Sequence, residues 1–460
     1  MLMGIRLQAH PTEGQKPILS RWMGCARYVW NAKCDEDRYL SRFAKKYLPV
    51  KTYAPFDQTY SQYKDKELSP WLFECPSQIL RNSTANWYQT YQKFLSGECG
   101  KPKRKKKSDG GSIHLTRELF RFEDSADGVV RLFIGSKKNN IGYLAIKNHS
   151  SYALPKSIYI KKKNGKYWVA FCYQDEIDES ALATQAEHLD YFKKATQEFL
   201  EERTLGVDRG VVRPVQAGED IFDFSPEQKR KKVAKEKSIK RYQRRMARQN
   251  KASEHRRRTK EKLAKCYGKI ANIRKDFCHK TSRNIVEKKE AQIIIFENLK
   301  TKNMTKRPKA KKNELGKWVK NGARAKAGLN KAILDKGWHH LETYTKYKAH
   351  RAGKAFFKIS AHYTSQECFA CENIHPDNRR TQGLFVCERC GHTDNADHNA
   401  AMVIKKRAIK LFLNSGTELS ERGVLLDTGC GAVTKTRGTK VTRARSKETS
   451  KKKRKAATAA

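Results

Sequence analysis

Residues 363–401 read YTSQECFACENIHPDNRRTQGLFVCERCGHTDNADHNAA. Cys368 and Cys371 form one Cys-x2-Cys knuckle, and Cys387 and Cys390 form a second after fifteen intervening residues. Each such turn offers two thiolates to one ion, and a hairpin between them returns the second pair to complete a tetrahedron. Gly391, just past the second knuckle, suits a tight turn. Four thiolates leave no open coordination position, so the spacing predicts a structural Zn2+ in a ribbon over 364–393, which should not fold without its metal. The other eight cysteines (Cys25, Cys34, Cys75, Cys99, Cys172, Cys266, Cys278, Cys430) show no such pairing and read as buried or free thiols. Directly after the ribbon, Asp397 stands at the expected start of a helix ending in Met402-Val403-Ile404.

Two further carboxylates occupy comparable places upstream. Asp208 follows Leu205-Gly206-Val207, and Glu297 follows Ile293-Ile294-Ile295-Phe296, each at the end of a short apolar run with the character of a buried strand. Taken singly, each has an ordinary reading: a strand-end Asp is often a turn residue, and a helix-start Asp is often an N-cap. Together, at element ends where a mostly parallel α/β sheet gathers its ligands, they suggest a site. Three converging carboxylates repel one another until metal neutralises them. Hard oxygen ligands suit Mg2+ or Mn2+, and a two-metal centre serves phosphodiester cleavage. The sequence contains no P-loop, no dinucleotide-binding glycine motif, no H-E-x-x-H and no G-x-S-x-G.

The 460 residues include 98 Lys+Arg against 48 Asp+Glu, a formal net charge of +50. Four segments, 101–107, 229–289, 300–331 and 431–460, hold +47 of it. Charge so concentrated points to polyanion partners. Between the strands of Asp208 and Glu297, the block at 229–289 predicts two antiparallel basic helices of about 28 residues, each reaching about 42 Å. A hydrophobic share of 38% is enough for cores. No apolar run approaches a membrane span, and residues 1–10 lack a signal-peptide pattern, so the expected compartment is the reducing cytoplasm.

Earlier in the chain, a short strand at 5–8 precedes a helix opened by Thr12 and Gln15 as a capping box. Helical patterns continue to about 96, with Trp87, Tyr88, Tyr91 and Phe94 as a packed face, and a basic loop follows at 101–107. Over 112–173, short β-branched and aromatic runs separated by turns such as Asn139-Asn140 and Asn164-Gly165 predict a small antiparallel, barrel-like module. Residues 178–202 read as a connecting helix. From about 415 the chain is Gly/Thr/Ser/Lys-rich and reads as a disordered tail, with 451–455 as a basic patch.

The order of motifs resembles a known family. Gly206-Val-Asp-Arg-Gly210, Phe277-Cys-His-Lys-Thr-Ser282, Glu297-Asn-Leu-Lys300 with Asn303-Met304, Lys326-Ala-Gly-Leu-Asn-Lys331 with Gly337-Trp338, Tyr363-Thr-Ser-Gln366, the four-Cys ribbon and Asp397-His-Asn-Ala-Ala401 follow one another. So do Arg27-Tyr-Val-Trp-Asn31 and Cys75-Pro-Ser-Gln-Ile-Leu80. The chain closely resembles the TnpB family of insertion-sequence proteins, relatives of the type V CRISPR effector nucleases. Glu372 stands where a Gly is expected after the first knuckle, and Arg209 makes the first motif unusually basic.

The resemblance implies a multidomain α+β protein. It would have a RuvC-like, RNase H-type nuclease domain over 201–363 and 394–414 with the ribbon inserted at 364–393. An N-terminal β-barrel wedge module would span 1–9 and 112–200, and a helical recognition lobe 10–111. It implies RNA-guided DNA cleavage beside a short transposon-adjacent motif, with Asp208, Glu297 and Asp397 as the metal-binding triad. The implied partners are a guide noncoding RNA from the element's end and double-stranded target DNA, acting on a monomer that is nucleoid-associated when bound to DNA. Lys103, Arg104, Lys105, His279, Lys280 and Arg324 are candidate nucleic-acid contacts. Open alternatives are a compact type V CRISPR effector, a guided DNA-binding repressor, and a DNA transposase using the same carboxylates.

Overall fold

The computed structural model describes residues 2–47, 58–107, 110–123, 129–148 and 151–427. Cys430, the basic block at 431–460 and its 451–455 patch lie outside the described residues.

The N-terminal strand folds with residues a hundred positions away. Strand β1 (Leu2–His10) joins β2 (Gly111–Thr116), β3 (Phe120–Glu123), β4 (Val129–Gly135), β5 (Asn140–Lys147), β6 (Ser157–Lys163) and β7 (Lys166–Gln174) in one sheet. The order is β2-β6-β7-β1-β5-β4-β3, antiparallel throughout. Edge strands β2 and β3 are joined by only three residues, so the sheet curls its two edges toward each other. Asn164 and Gly165, both at positive φ, make the β6–β7 turn.

Helix α1 (Gln15–Tyr47) opens with the expected box: Thr12 N donates to Gln15 Oε1 at 3.0 Å and Gln15 N to Thr12 Oγ1 at 3.3 Å. Its apolar face, with that of α2 (Ser77–Leu95), covers the curled sheet, where Leu19, Trp22, Val29 and Leu80 meet Leu7, Leu115, Leu144 and Ile160. Trp87 packs with Trp30 and Cys34 as part of the expected aromatic face. The basic loop is tied to α1 through its backbone. Trp30 Nε1 donates to Lys103 O at 3.0 Å, and Asn31 exchanges hydrogen bonds with the Lys105 main chain at 3.0 and 2.7 Å.

The segment 178–202, expected to be one connecting helix, is divided. It forms two short helices, α3 (Gln185–Phe192) and α4 (Gln197–Arg203). Leu189, Phe192 and Leu200 are buried with Ile293, Ile295, Phe357 and Ile404 of the second half. Their apolar faces cover the second sheet, and β7 is the last strand of the first.

That second sheet has the order β10-β9-β8-β11-β14, from β8 (Thr204–Asp208), β9 (Val215–Ala217), β10 (Asp220–Phe222), β11 (Ile293–Glu297) and β14 (Ala355–Ile359). Strands β8, β11 and β14 are parallel, while β9 and β10 turn back as an antiparallel meander. The sheet is therefore mixed rather than mostly parallel. Its two central strands, β8 and β11, are wholly buried, which accounts for their uninterrupted apolar runs.

Between β10 and β11 run the basic helices, α5 (Pro226–Arg248) and α6 (Glu254–Glu287), of 23 and 34 residues rather than equal lengths. Ser225 caps α5 and Ser253 caps α6. A narrow seam of Ile239, Cys266 and Ile270 holds them together. After β11 come α7 (Thr301–Met304), a small hairpin of β12 (Lys311–Lys312) and β13 (Trp318–Val319), then α8 (Ala323–Lys336) and α9 (Trp338–Arg351). The ribbon carries β15 (Phe385–Val386) and β16 (Thr393–Asp394), and helix α10 (Ala396–Leu413) returns across the sheet.

Residues 415–427, expected to be disordered, are instead ordered. Strands β17 (Thr417–Leu419) and β18 (Leu425–Asp427) pair as a hairpin, and Val424 bridges Lys358 of β14. Val424 and Leu425 are buried against the sheet. A few apolar residues suffice because the hairpin only has to cover one existing edge.

Candidate functional site

Asp208 and Glu297 end adjacent parallel strands. The register sets Phe296 opposite Val207, so the two carboxylates leave the sheet at the same edge, side by side. Asp397 arrives on the first turn of α10, whose N-cap Asn395 accepts from Asp397 N at 3.1 Å. Helix α10 can lie close because β8 carries Gly206: a Cβ there would stand 2.1 Å from Ala401 O. Asp397 Oδ2 in turn lies 3.7 Å from where a Gly210 Cβ would be. Residues 208, 297 and 397 are thus brought near one another, and all three are buried.

Burial and mutual repulsion disturb the acids. Desolvation first, then the charges of Glu297 and Asp397, push the Asp208 carboxyl up to about 8. Glu297 is also raised by burial, opposed by a hydrogen bond from Thr364 Oγ1 to its Oε1 and by the nearby charges of Arg209 and Arg407. The basic residues around them are specifically held. Arg209, almost wholly buried, donates to the Glu297 carbonyl and to Glu342 Oε2 at 2.9 Å, and lies over the Phe296 ring. Arg379, on the ribbon, reaches Asp397 Oδ1 at 3.0 Å. Asp394, the near neighbour that sequence could confuse with Asp397, is turned to His398 Nδ1 at 2.6 Å, and His398 Nε2 meets Glu219 at 3.0 Å.

The ribbon's four thiols converge. Cys368 Sγ lies 3.7 Å from Cys390 Sγ, and Cys371 Sγ lies 3.5 Å from Cys387 Sγ. A tetrahedral zinc with bonds of about 2.3 Å needs sulfurs about 3.8 Å apart, so the cluster fits the ion. Among the described residues it is the one group of three or more possible ligands whose donor atoms all lie within 4.8 Å of one another. The three carboxylates are held more loosely than that.

Both knuckles close with a residue at positive φ, Gly391 at 70° and Glu372 at 61°. A non-glycine residue is strained there. Glu372 compensates by pairing with Lys406 at 3.0 Å and with Lys410. The ribbon is fastened to α10 by Asn399, which donates to Glu367 O at 2.8 Å and accepts from Phe369 N at 3.0 Å. The Asp-His-Asn-Ala-Ala motif thus combines a carboxylate, a buried ribbon anchor and small residues that admit the sheet.

The remaining candidates lie elsewhere. Lys103, Arg104 and Lys105 are exposed on the loop along α1, with Arg104 paired to Asp35 at 2.6 Å. His279 stacks on Tyr344 with centroids 3.8 Å apart, and Lys280 pairs with Asp276 at 3.3 Å. Arg324 is exposed in the first turn of α8. Among the described residues none of these touches the carboxylates, whereas Thr364 and Arg379 do and Arg209 holds the Glu297 main chain.

Comparison with known proteins agrees with this layout. A Cas12f1-like TNB domain model matches residues 338–404, which span α9, β14, the ribbon and the start of α10. A model described as "Probable transposase" of the OrfB/IS605 type matches 188–308, and its companion helix-turn-helix model matches 1–33. In this structure 1–33 comprises β1 and the first part of α1. The chain is 26% identical to the "Putative RNA-guided DNA endonuclease InsQ" of Escherichia coli K12, over 87% of this chain and 90% of that one. It is 23% identical to a "Putative RNA-guided DNA endonuclease" of Streptomyces pristinaespiralis, over 85% and 86%. The fold is similar to that of a Cas12f1 solved with sgRNA and target DNA, at TM-score 0.50 and 11% identity, covering 88% of this chain and 98% of that one. Matched over 1–33, 188–308 and 338–404 by these models, the chain is similar to the OrfB/IS605 insertion-sequence proteins, in agreement with its resemblance to the TnpB family.

Proposed function

We propose that the protein is an RNA-guided DNA endonuclease encoded by an insertion sequence. The five-stranded sheet would be its RuvC-like, RNase H-type nuclease domain, and the β module with α1 and α2 its wedge and recognition lobes. One observation carries the reading. In a chain of net charge +50, carboxylates from positions 208, 297 and 397 are buried together at one sheet edge, an arrangement that costs stability and has no structural return.

The site fits divalent metal. Its donors are oxygens only, and the acids are held in a state that a cation would relieve. Asp208, Glu297 and Asp397 would hold Mg2+ or Mn2+, which supplies charge stabilisation and a nucleophilic hydroxide for phosphodiester hydrolysis. The chain's own residues do the positioning. Thr364 orients Glu297, and Arg209 fixes the end of β11 through the Glu297 carbonyl. Arg379 sits where it can pass from Asp397 to a phosphate oxygen. The four-Cys ribbon, stabilised by zinc, holds Arg379 in place.

The relatives named as RNA-guided endonucleases, and the Cas12f1 solved with sgRNA and target DNA, support a guide RNA and double-stranded DNA as partners. The guide would come from the element's end and pair with one target strand, while protein reads a short flanking motif. The exposed cations of α5 and α6, the loop at 103–105, and His279, Lys280 and Arg324 would contact phosphates. Among the described residues no helix is long and apolar enough to cross a membrane. We place the protein in the cytoplasm, at the nucleoid when DNA-bound, as a monomer.

The test of guidance is copurification. Protein expressed beside its flanking noncoding region should retain an RNA of defined length through high-salt washing. Recovery of only heterogeneous fragments would contradict the reading.

A further inference from the structure

One cleft lies apart from the carboxylates. It has a volume of about 940 Å³ and lies between α5, α6 and α8. Its floor is apolar, with Ile239 and Ile270 buried and Leu334 exposed at the side, and cations line its walls. Some of these are neutralised: Arg274 pairs with Asp335 at 3.5 Å, and Lys331 with Glu236 at 3.1 Å. Lys240, Arg307 and Arg324 have no acidic partner among the described residues. Asn330 is half-committed. Its Nδ2 donates to Thr305 O at 2.8 Å, while its buried Oδ1 has no donor. Free cations, an apolar floor and an unmatched acceptor together suit phosphates, sugars and the N–H edge of a base.

The β12–β13 hairpin stands on the rim, with Arg307 and Pro308 at its foot. Its turn is formed internally: Asn313 N donates to Lys317 O at 2.9 Å, and Gly316, at positive φ, donates to Asn313 O at 3.0 Å. Asn321 Nδ2 closes the base on Lys309 O at 2.9 Å. The hairpin presents Trp318 at 69% exposure, with Lys312 Nζ 4.7 Å from the ring centroid. An indole so exposed, on a preformed turn among cations, has the makings of a base-stacking platform.

Both walls of the cleft are joined along the chain to the carboxylate site. Helix α8 ends at Lys336, and Gly337, at positive φ, turns the chain into Trp338. The Trp338 carbonyl lies 3.5 Å from Arg209 Nη1, one residue beyond Asp208. On the other side, Thr305, held by Asn330, belongs to the segment that leaves Glu297.

We infer that this cleft and hairpin form a track for an unpaired DNA strand on its way to the carboxylates, with Trp318 stacking on a base and Arg307 and Arg324 taking phosphates. The inference rests on the endonuclease reading, to which it adds the strand's path and a positioning residue.

Binding separates stacking from charge. The full chain with its guide RNA, carrying Asp208→Ala so that nothing is cut, is titrated with labelled oligothymidylate of no complementarity to the guide. Trp318→Ala should weaken binding about fivefold or more, and Trp318→Phe should restore most of it. Trp318→Ala should leave the salt dependence of binding unchanged, whereas Arg307→Ala and Arg324→Ala should each flatten it by about 0.7 in log–log slope. Unchanged affinity in Trp318→Ala, or Trp318→Phe binding as weakly as Trp318→Ala, would overturn the track. So would a loss seen with oligouridylate and not with DNA. Failure of the endonuclease reading would appear separately, as a wild-type complex that does not cut matched DNA in Mg2+.

Discussion

Asp208 and Glu297 are destabilising where they stand. A carboxyl raised to about 8 binds its proton more tightly in the folded chain than in the unfolded one. Its contribution is therefore fully favourable below the ordinary carboxylate pKa and is lost as pH climbs toward 8. Asp208→Asn removes that charge at nearly constant shape. In chelator, the variant should melt higher than wild type by about 0.5–2 kcal/mol, with a wider gap at pH 8 than at pH 5. Mg2+ should narrow the gap by stabilising wild type alone. Thermal melts at two pH values, with and without Mg2+, measure this, and equal melting under all conditions would mean the acids do not repel.

The acids were legible in the sequence because two end apolar runs too short and too pure for anything but buried strands. Their escorts were not. Arg379 is one of 98 basic residues, and nothing local distinguishes it. Its significance lies in an 18-residue return of the chain that only the folded ribbon makes. Thr364 lay inside a recognised motif but had no readable partner, because Glu297 meets it across the fold.

Among elements, the ribbon was read from spacing alone, since four thiols at fixed intervals leave one geometry. Strand β2, with the mixed sequence GSIHLT, and the hairpin β17–β18 carried too little alternation to see. Both are ordered by the neighbours they cover. Truncation tests this for the hairpin. A chain ending at 427 should melt like the full chain. One ending at 414 should lose about 2 kcal/mol or more, because Val424 and Leu425 no longer cover β14. Equal melting of the two would return the segment to a dispensable tail.

The ribbon makes its own prediction. Purified protein should carry one zinc per chain by elemental analysis. Cys387→Ser should lose the zinc and most DNA cleavage together, because Arg379 loses its support against Asp397. Full cleavage by zinc-free protein would separate the ribbon from the site.

At the scale of the whole molecule, the charge is distributed around the chemistry. The blocks at 229–289 and 300–331 flank β11, and they become the helix pair α5–α6 and the hairpin with α8, with a cleft between α5, α6 and α8. Sequence could say that polyanion binds and that two helices carry much of the charge. It could not give their unequal lengths, nor assign α3 and α4 to the five-stranded sheet, because an amphipathic helix does not specify which sheet it covers. The central claim is that a guided, strongly basic scaffold delivers DNA to three carboxylates. The most direct measurement is single-turnover cleavage of a matched target by the RNA complex in Mg2+, run beside target binding, for wild type and Asp208→Ala. The account predicts that Asp208→Ala loses cleavage by at least about a thousandfold while binding its target as wild type does. Cleavage at a near wild-type rate by Asp208→Ala would contradict it.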